Sequence, residues 1–200
     1  MRRLVLKLLA AAALVAATGP FAGAALAQDM DPENILVIEV EGAANGTVEI
    51  QLLPQLAPGH VERIKELART GAYDGVAFHR VIPGFMAQTG DVKYGTKDAF
   101  GGGRAGFGGS DLPDLDAEFN DMPHTEGIVS MARSQNPNSA NSQFFIMFGP
   151  APFLDGQYTV FGQVISGMEV VHEIQKGDRA NNGAVAEPDY MASVKVKADL

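Results

Sequence analysis

From Ile35 to Lys197 the chain is a succession of short runs of branched and aromatic residues, most of them separated by glycine, proline and asparagine turns. Only two segments carry a helical pattern. That punctuation constrains the fold more than any other feature, because parallel strands need long crossover connections and most of these links are too short to supply them. Ile35–Val40 and Thr47–Leu53 read as strands around an Asn45-Gly46 turn, a strong hairpin signal. Further strands are expected over Val76–Ile82, Phe85–Gln88, Ile128–Ala132, Phe144–Phe148, Tyr158–Val164 and Ala192–Lys197. Pro58–Arg69 reads as a helix with Val61, Ile64, Leu67 and Ala68 inward, and Glu62, Arg63, Lys65 and Glu66 largely outward. Met168–Gln175 reads as a second, shorter helix. About eight antiparallel strands with two helices make one mainly β domain, either a closed barrel or a sandwich.

The first 27 residues form a separate unit. Arg2, Arg3 and Lys7 precede an apolar run from Leu8 to Ala17, and Ala25-Leu26-Ala27 is a small-x-small cleavage site. This is the pattern of a secretory signal, favoured over an uncleaved anchor because Gly19-Pro20 interrupts the run. Residues 28–34 are then a short lead into a domain over 35–200. The mature chain is expected to begin at Gln28 in an exported compartment, most simply a bacterial periplasm, with no stable membrane insertion after cleavage. Loss of the three basic residues takes the formal charge from −9 to −12. Such a balance argues against a nucleic-acid partner. There is no cysteine, which excludes disulfides, thiolate metal sites and a thiol nucleophile.

Phe78 to Asp91, reading Phe-His-Arg-Val-Ile-Pro-Gly-Phe-Met-Ala-Gln-Thr-Gly-Asp, carries the chemistry. It sets Arg80 among apolar residues with Gln88 close behind. Ser142-Gln143-Phe144-Phe145-Ile146 adds apolar surface and a second amide. A dry pocket with fixed hydrogen-bond donors and no nucleophile suits a reaction that breaks no covalent bond. Arg80 is either a strand arginine with its head in water or a fixed cation at a pocket edge. His79 is expected to be a hydrogen-bonded structural residue, or else to line the site. His60 and His172 are expected at the surface, and no histidine pair has metal-ligand spacing. Gly101-Gly102-Gly103-Arg104-Ala105-Gly106 matches a dinucleotide fingerprint in letters but follows no clear strand and leads into no helix, so it reads as a flexible surface loop.

These motifs resemble the cyclophilin family of peptidyl-prolyl cis-trans isomerases. Phe78–Asp91 is similar to the family's central block. His124-Thr125-Glu126-Gly127-Ile128-Val129-Ser130-Met131-Ala132, Ser142–Ile146 with Phe153-Leu154-Asp155-Gly156, and Tyr158-Thr159-Val160-Phe161-Gly162 resemble the blocks that follow, in order. The resemblance runs from about Ile35 to Ala198. It implies a closed eight-stranded antiparallel barrel capped by two helices, acting on proline-containing segments without metal or cofactor; a monomer is expected. It makes Arg80 the catalytic arginine, and Phe85, Met86, Phe145 and Leu154 the walls of the proline pocket. Gln88 would hold the substrate backbone, as would the main chain of Arg133, with Ala132, Gln143, Phe153 and Tyr158 beside the groove. Phe153 stands where many eukaryotic members have tryptophan, and Tyr158 where they have histidine. Since Phe153 lacks the indole N–H that binds cyclosporin in the family, weak cyclosporin binding is expected. The loop from Tyr94 to Pro113 is longer than in many members and Ser134–Pro137 carries an extra residue, changes that bear on peptide specificity.

Overall fold

The computed structural model describes residues 30–200; the signal segment and the first two residues of the lead lie outside the described residues. Nine strands form one antiparallel sheet: β1 (Ile35–Glu41), β2 (Gly46–Leu52), β3 (Val76–Ala77), β4 (Arg80–Ile82), β5 (Met86–Thr89), β6 (Ile128–Met131), β7 (Phe144–Met147), β8 (Val160–Ser166) and β9 (Tyr190–Val196). Their order is β3-β9-β1-β2-β8-β6-β7-β5-β4. Two helices accompany the sheet, α1 (Pro58–Arg69) and α2 (Met168–Glu173). Among the described residues, no helix is long and apolar enough to cross a membrane.

The sheet is an open, curled half-barrel, which corrects the expected closed barrel of eight strands. The single strand expected over Val76–Ile82 is two strands, β3 and β4, at opposite edges of the sheet. Only Phe78 and His79 separate them, so they follow one another along the chain and do not pair. Other segments occupy their free edges. Thr96 bridges Val76, with Ala77 N donating to Gly95 O at 2.8 Å. On β4, Val81 N donates to Gly183 O at 2.8 Å and Gly177 N to Val81 O at 2.9 Å. Covered edges of this kind satisfy backbone groups that would otherwise template aggregation.

Alternation along the strands gives the sheet two apolar faces. Phe144 and Ile146 of β7 join the main core, as do Ala87, Val129, Met131 and Phe161 from the neighbouring strands. Phe145 and Met147 point the opposite way, into a smaller cluster with Met86, Ile128, Leu154 and Val160. Period-two geometry thus explains why β7 is apolar throughout: each half of its side chains serves a different cluster. In the main core, Phe144 meets Tyr73 and Phe161 edge-on at 5.8 and 6.0 Å.

The expected boundaries of α1 are those observed. Ala57 at its N-cap has no capping side chain, and Glu118 fills that role from a distant loop, accepting from Gly59 N and His60 N at 3.1 Å each. Three expectations for this helix need correction. His60, read as a surface residue, is wholly buried, with Nδ1 2.6 Å from Glu118 Oε2. Arg63 and Lys65, placed on the outward face, are also buried because loops cross that face. Arg63 Nη2 donates to Pro113 O at 2.8 Å and Lys65 Nζ to Asn34 Oδ1 at 2.8 Å, so their charged heads keep polar partners. His172 is exposed as expected.

Candidate active site

The second face of β4, β5, β7 and β6 presents one cross-strand row. Arg80 pairs with Gln88, Gln88 with Phe145, and Phe145 with Ser130. One step along, Ile82 pairs with Met86, and Met86 with Met147. The tight turn at Pro83-Gly84, where Gly84 takes φ +71°, therefore decides which residues share this face. Above the row lies a cavity of about 240 Å³ lined by Arg80, Phe85, Met86, Gln88, Ala132, Arg133, Phe145, Phe153, Leu154 and Tyr158. Ten of the sequence-chosen residues thus meet at one place. Gln143 stands beside them in an adjoining cavity of about 450 Å³, which also reaches Gln88, Ala132 and Arg133.

The cavity floor is apolar. Met86, Phe145 and Leu154 are buried, Phe85 is half-buried, and Phe153 is 64% exposed at the rim. Phe85 and Phe153 approach to 5.7 Å between ring centroids, and Phe145 meets Tyr158 edge-on at 5.8 Å. Behind this wall His124 stacks on Phe145 at 6.3 Å and is held by Asp155 at 2.9 Å and Ser130 at 2.8 Å. Arg133 donates from Nη2 to Gln157 O at 2.8 Å, with its guanidinium over the Tyr158 ring at 4.5 Å.

Arg80 is half-buried and fastened on three sides. Nε donates to Asn182 O at 3.0 Å, Nη2 to Asn182 Oδ1 at 3.1 Å, and Nη1 to Gln88 Oε1 at 3.0 Å. The guanidinium has five N–H groups. Nη1 also donates to Met86 Sδ at 3.8 Å, so Nη2 is the nitrogen that keeps a second N–H for a ligand. Burial lowers its pKa, yet a guanidinium remains charged across any working range.

His79 does not line the cavity; it is buried behind Arg80. Among the described residues neither ring nitrogen makes a well-aligned hydrogen bond, and the polar groups nearest to it are those of Ala77 and Gln143. Burial pushes its pKa down, against the pull of the Asp91 carboxylate, so the ring is neutral at pH 7 and places no second charge beside Arg80. The glycine-rich segment divides in two. A Cβ on Gly101, Gly102 or Gly103 would meet nothing within 4 Å, whereas Gly106 and Gly108 are packed against His79 and Asp91. Among the described residues no three His, Asp or Glu side chains gather to hold a metal ion.

Sequence reasoning missed Asn182. It is the one non-glycine residue with positive φ among those described, at 53°. Its only sequence signal is the Asn182-Gly183 dipeptide, and 102 residues separate it from Arg80.

Comparison with known proteins gives this geometry its context. Residues 35–196 match the model of the family described as cyclophilin type peptidyl-prolyl cis-trans isomerase/CLD. A probable peptidyl-prolyl cis-trans isomerase of Brucella suis is 56% identical over 192 residues, covering 96% of this chain and 95% of the relative. Peptidyl-prolyl cis-trans isomerase B of Bacillus subtilis is 41% identical over 131 residues, 66% of this chain and 85% of the relative. A crystal structure of a cyclophilin from Hirschia baltica superposes with a TM-score of 0.71 at 30% identity, covering 86% of this chain and 76% of that one. The chain belongs to the cyclophilin-type peptidyl-prolyl isomerases and is an enzyme of that type.

Proposed function

We propose that this chain isomerises X-Pro bonds in exported proteins as they fold, with Arg80 as the catalytic residue. The observation that carries the reading is the guanidinium itself, fixed by Asn182 and Gln88 at the edge of a cavity with an apolar floor, with an N–H of Nη2 to spare. The X-Pro bond turns slowly because resonance gives its C–N bond partial double-bond character, with a barrier of roughly 18–20 kcal/mol. A rate enhancement of about 10⁵ requires the site to remove about 7 kcal/mol.

At the twisted transition state that resonance is lost and the proline nitrogen regains a lone pair. Arg80 donates to this nitrogen, and the interaction exists only once the bond has turned, which is the condition for lowering a barrier. Phe85, Met86, Phe145 and Leu154 hold the proline ring and exclude water. The planar amide is the more charge-separated form, so a water-poor site disfavours it relative to the twisted one. Gln88 and the main chain near Arg133 anchor one side of the peptide while the other rotates. No proton or nucleophile takes part.

The deciding experiment compares cis-to-trans isomerisation of a short Ala-Pro peptide by the chain starting at Gln28 and by its Arg80→Ala variant. Strong catalysis is expected from the first and loss of it, with the fold retained, in the second; an active variant would remove Arg80 from the mechanism. Export is tested separately, by fractionating bacteria that express the full chain: a shortened periplasmic product is expected, and a full-length cytoplasmic one refutes the signal reading. Cyclosporin should inhibit weakly because Phe153 has no N–H to donate. Nanomolar inhibition would overturn that expectation.

A further inference from the structure

The glycine-rich segment is built into the site by one side chain. Asp91 is wholly buried, and its carboxylate, which can only accept, meets four backbone N–H groups. Lys93 N and Tyr94 N donate to Oδ1 at 3.1 and 2.8 Å, and Gly106 N and Gly108 N donate to Oδ2 at 2.7 and 2.9 Å. The carbonyls of the same two glycines accept from Gln143 Nε2 at 3.1 and 2.7 Å. Gln143 Oε1 accepts from Gln88 Nε2 at 2.9 Å, and Gln88 Oε1 accepts from Arg80 Nη1 at 3.0 Å.

Every bond in this chain runs in one direction, and the direction is forced from its far end. Carbonyl oxygens cannot donate, so the glycines oblige Gln143 to turn its NH2 group toward them. Its oxygen must then face Gln88, which turns its own NH2 to Gln143 and its oxygen to Arg80. Flipping either amide would set donor against donor or acceptor against acceptor. The glycines are required by the approach. Gly106 takes φ +93° and a Cβ there would stand 3.2 Å from the His79 ring, while a Cβ on Gly108 would fall 2.4 Å from Asp91 Oδ1.

We propose that Asp91 is a positioning residue for Arg80: by fixing Gly106 and Gly108 it orients the two glutamines and so sets the aim of the guanidinium. The inference rests on Arg80 being the catalytic group. Asp91→Asn keeps the size but turns two acceptor sites into an NH2 that faces N–H groups.

The test is Ala-Pro peptide kinetics on Asp91→Asn, Gln143→Ala, the double variant and Arg80→Ala, each checked for folding. Asp91→Asn is expected to lower kcat by about tenfold and to move KM less, since the apolar walls are untouched and Gln88 is the one peptide anchor that lies on the relay. The double variant should lose no more than the worse single, because both break one relay. In the NMR spectrum, the separate proton signals of a rotation-restricted Arg80 Nη1 should merge in Asp91→Asn. If Asp91→Asn does not fold, Gln143→Glu tests the same link, since a carboxylate there would face two carbonyls, and kcat should fall. Wild-type kcat in either variant, or losses that multiply in the double variant, overturns the relay while an inactive Arg80→Ala leaves the catalytic reading standing. An active Arg80→Ala removes both.

Discussion

Replacing Asn182 separates the positioning of Arg80 from the stability of the turn that carries it. Asn182 holds the guanidinium twice, through its carbonyl and through Oδ1, and does so from a left-handed backbone with φ 53°. Asn182→Gly keeps the carbonyl and adopts that backbone freely, losing only Oδ1. A hydrogen bond to a charged group contributes roughly 1.5–3 kcal/mol. Arg80 is half-buried, so water recovers part of this, and about 1–1.4 kcal/mol remains. That corresponds to a fall in kcat of about five- to tenfold. Asparagine visits this backbone at little cost and glycine at none, so what remains is the greater freedom glycine gives the unfolded chain, about 0.4–1 kcal/mol. Its Tm should therefore stay near wild type. Asn182→Ala loses the same contact and takes on the strain, so activity and Tm should both fall, Tm by about 2–4 °C per kcal/mol for a domain of this size. Isomerisation of an Ala-Pro peptide and thermal melts of the two variants decide the matter. A glycine variant with wild-type kcat, or one whose melting falls as far as the alanine variant's, refutes the reasoning.

Three further expectations follow from the packing. Burial pushes Glu118 up, but the His60 ring and the Gly59 and His60 amides outweigh it and hold the folded carboxyl below its ordinary value of 4.5. The unfolded chain then binds more protons at low pH, so this stability is complete above 4.5 and is lost as pH falls through the lower folded value. Melts against pH should show a shallower acid limb for Glu118→Gln, and an unchanged limb would discount the contact. Gly106→Ala puts a side chain at φ +93° and within 3.2 Å of the His79 ring, which should cost about 1–2 kcal/mol in denaturant melts and lower kcat; an unaffected variant would show that the loop does not bear on the site. Phe144→Ala removes an aromatic ring packed edge-on against Tyr73 and Phe161, and urea unfolding should register a loss of about 3–5 kcal/mol, with under 1 kcal/mol pointing to a core that collapses around the gap.

The sequence made local features legible and long-range ones opaque. The bounds of α1 follow from a pattern of a dozen residues and appear where expected; the β1–β2 hairpin also forms, but its turn ends at Asn45 and Gly46 already pairs with Val40. Arg80 and Gln88 stood out in the sequence as a lone cation and an amide in an apolar run, and Met86 through the resemblance; one tight hairpin puts all three on one face. His60, Arg63 and Lys65 were misplaced for the opposite reason. Helical periodicity assigned them outward, but Glu118, Pro113 and Asn141 come from 50 to 78 residues away to meet His60 and Arg63, and Asn34 from 31 residues away to meet Lys65. The break in Val76–Ile82 is equally non-local. Nothing in Phe78-His79 interrupts an extended pattern; what ends pairing there is which segments lie alongside.

That break also supplies the site. Had β3 and β4 closed the barrel by pairing, their edges would hold only each other. Left apart, each takes a covering segment, and each segment brings something to Arg80. The segment along β4 spans Gly177 to Val185 and carries Asn182 to the guanidinium. The segment along β3 leaves Asp91, crosses Thr96, and returns through Gly106 and Gly108 to Gln143, and so to Gln88 and Arg80. Arg80 is therefore held from both sides of the same gap, by the two loops that cover its strand edges. The curled sheet sets the row of apolar residues and the gap sets the aim of the cation. On this argument, lengthening either covering loop away from its bridge should lower kcat before it lowers stability.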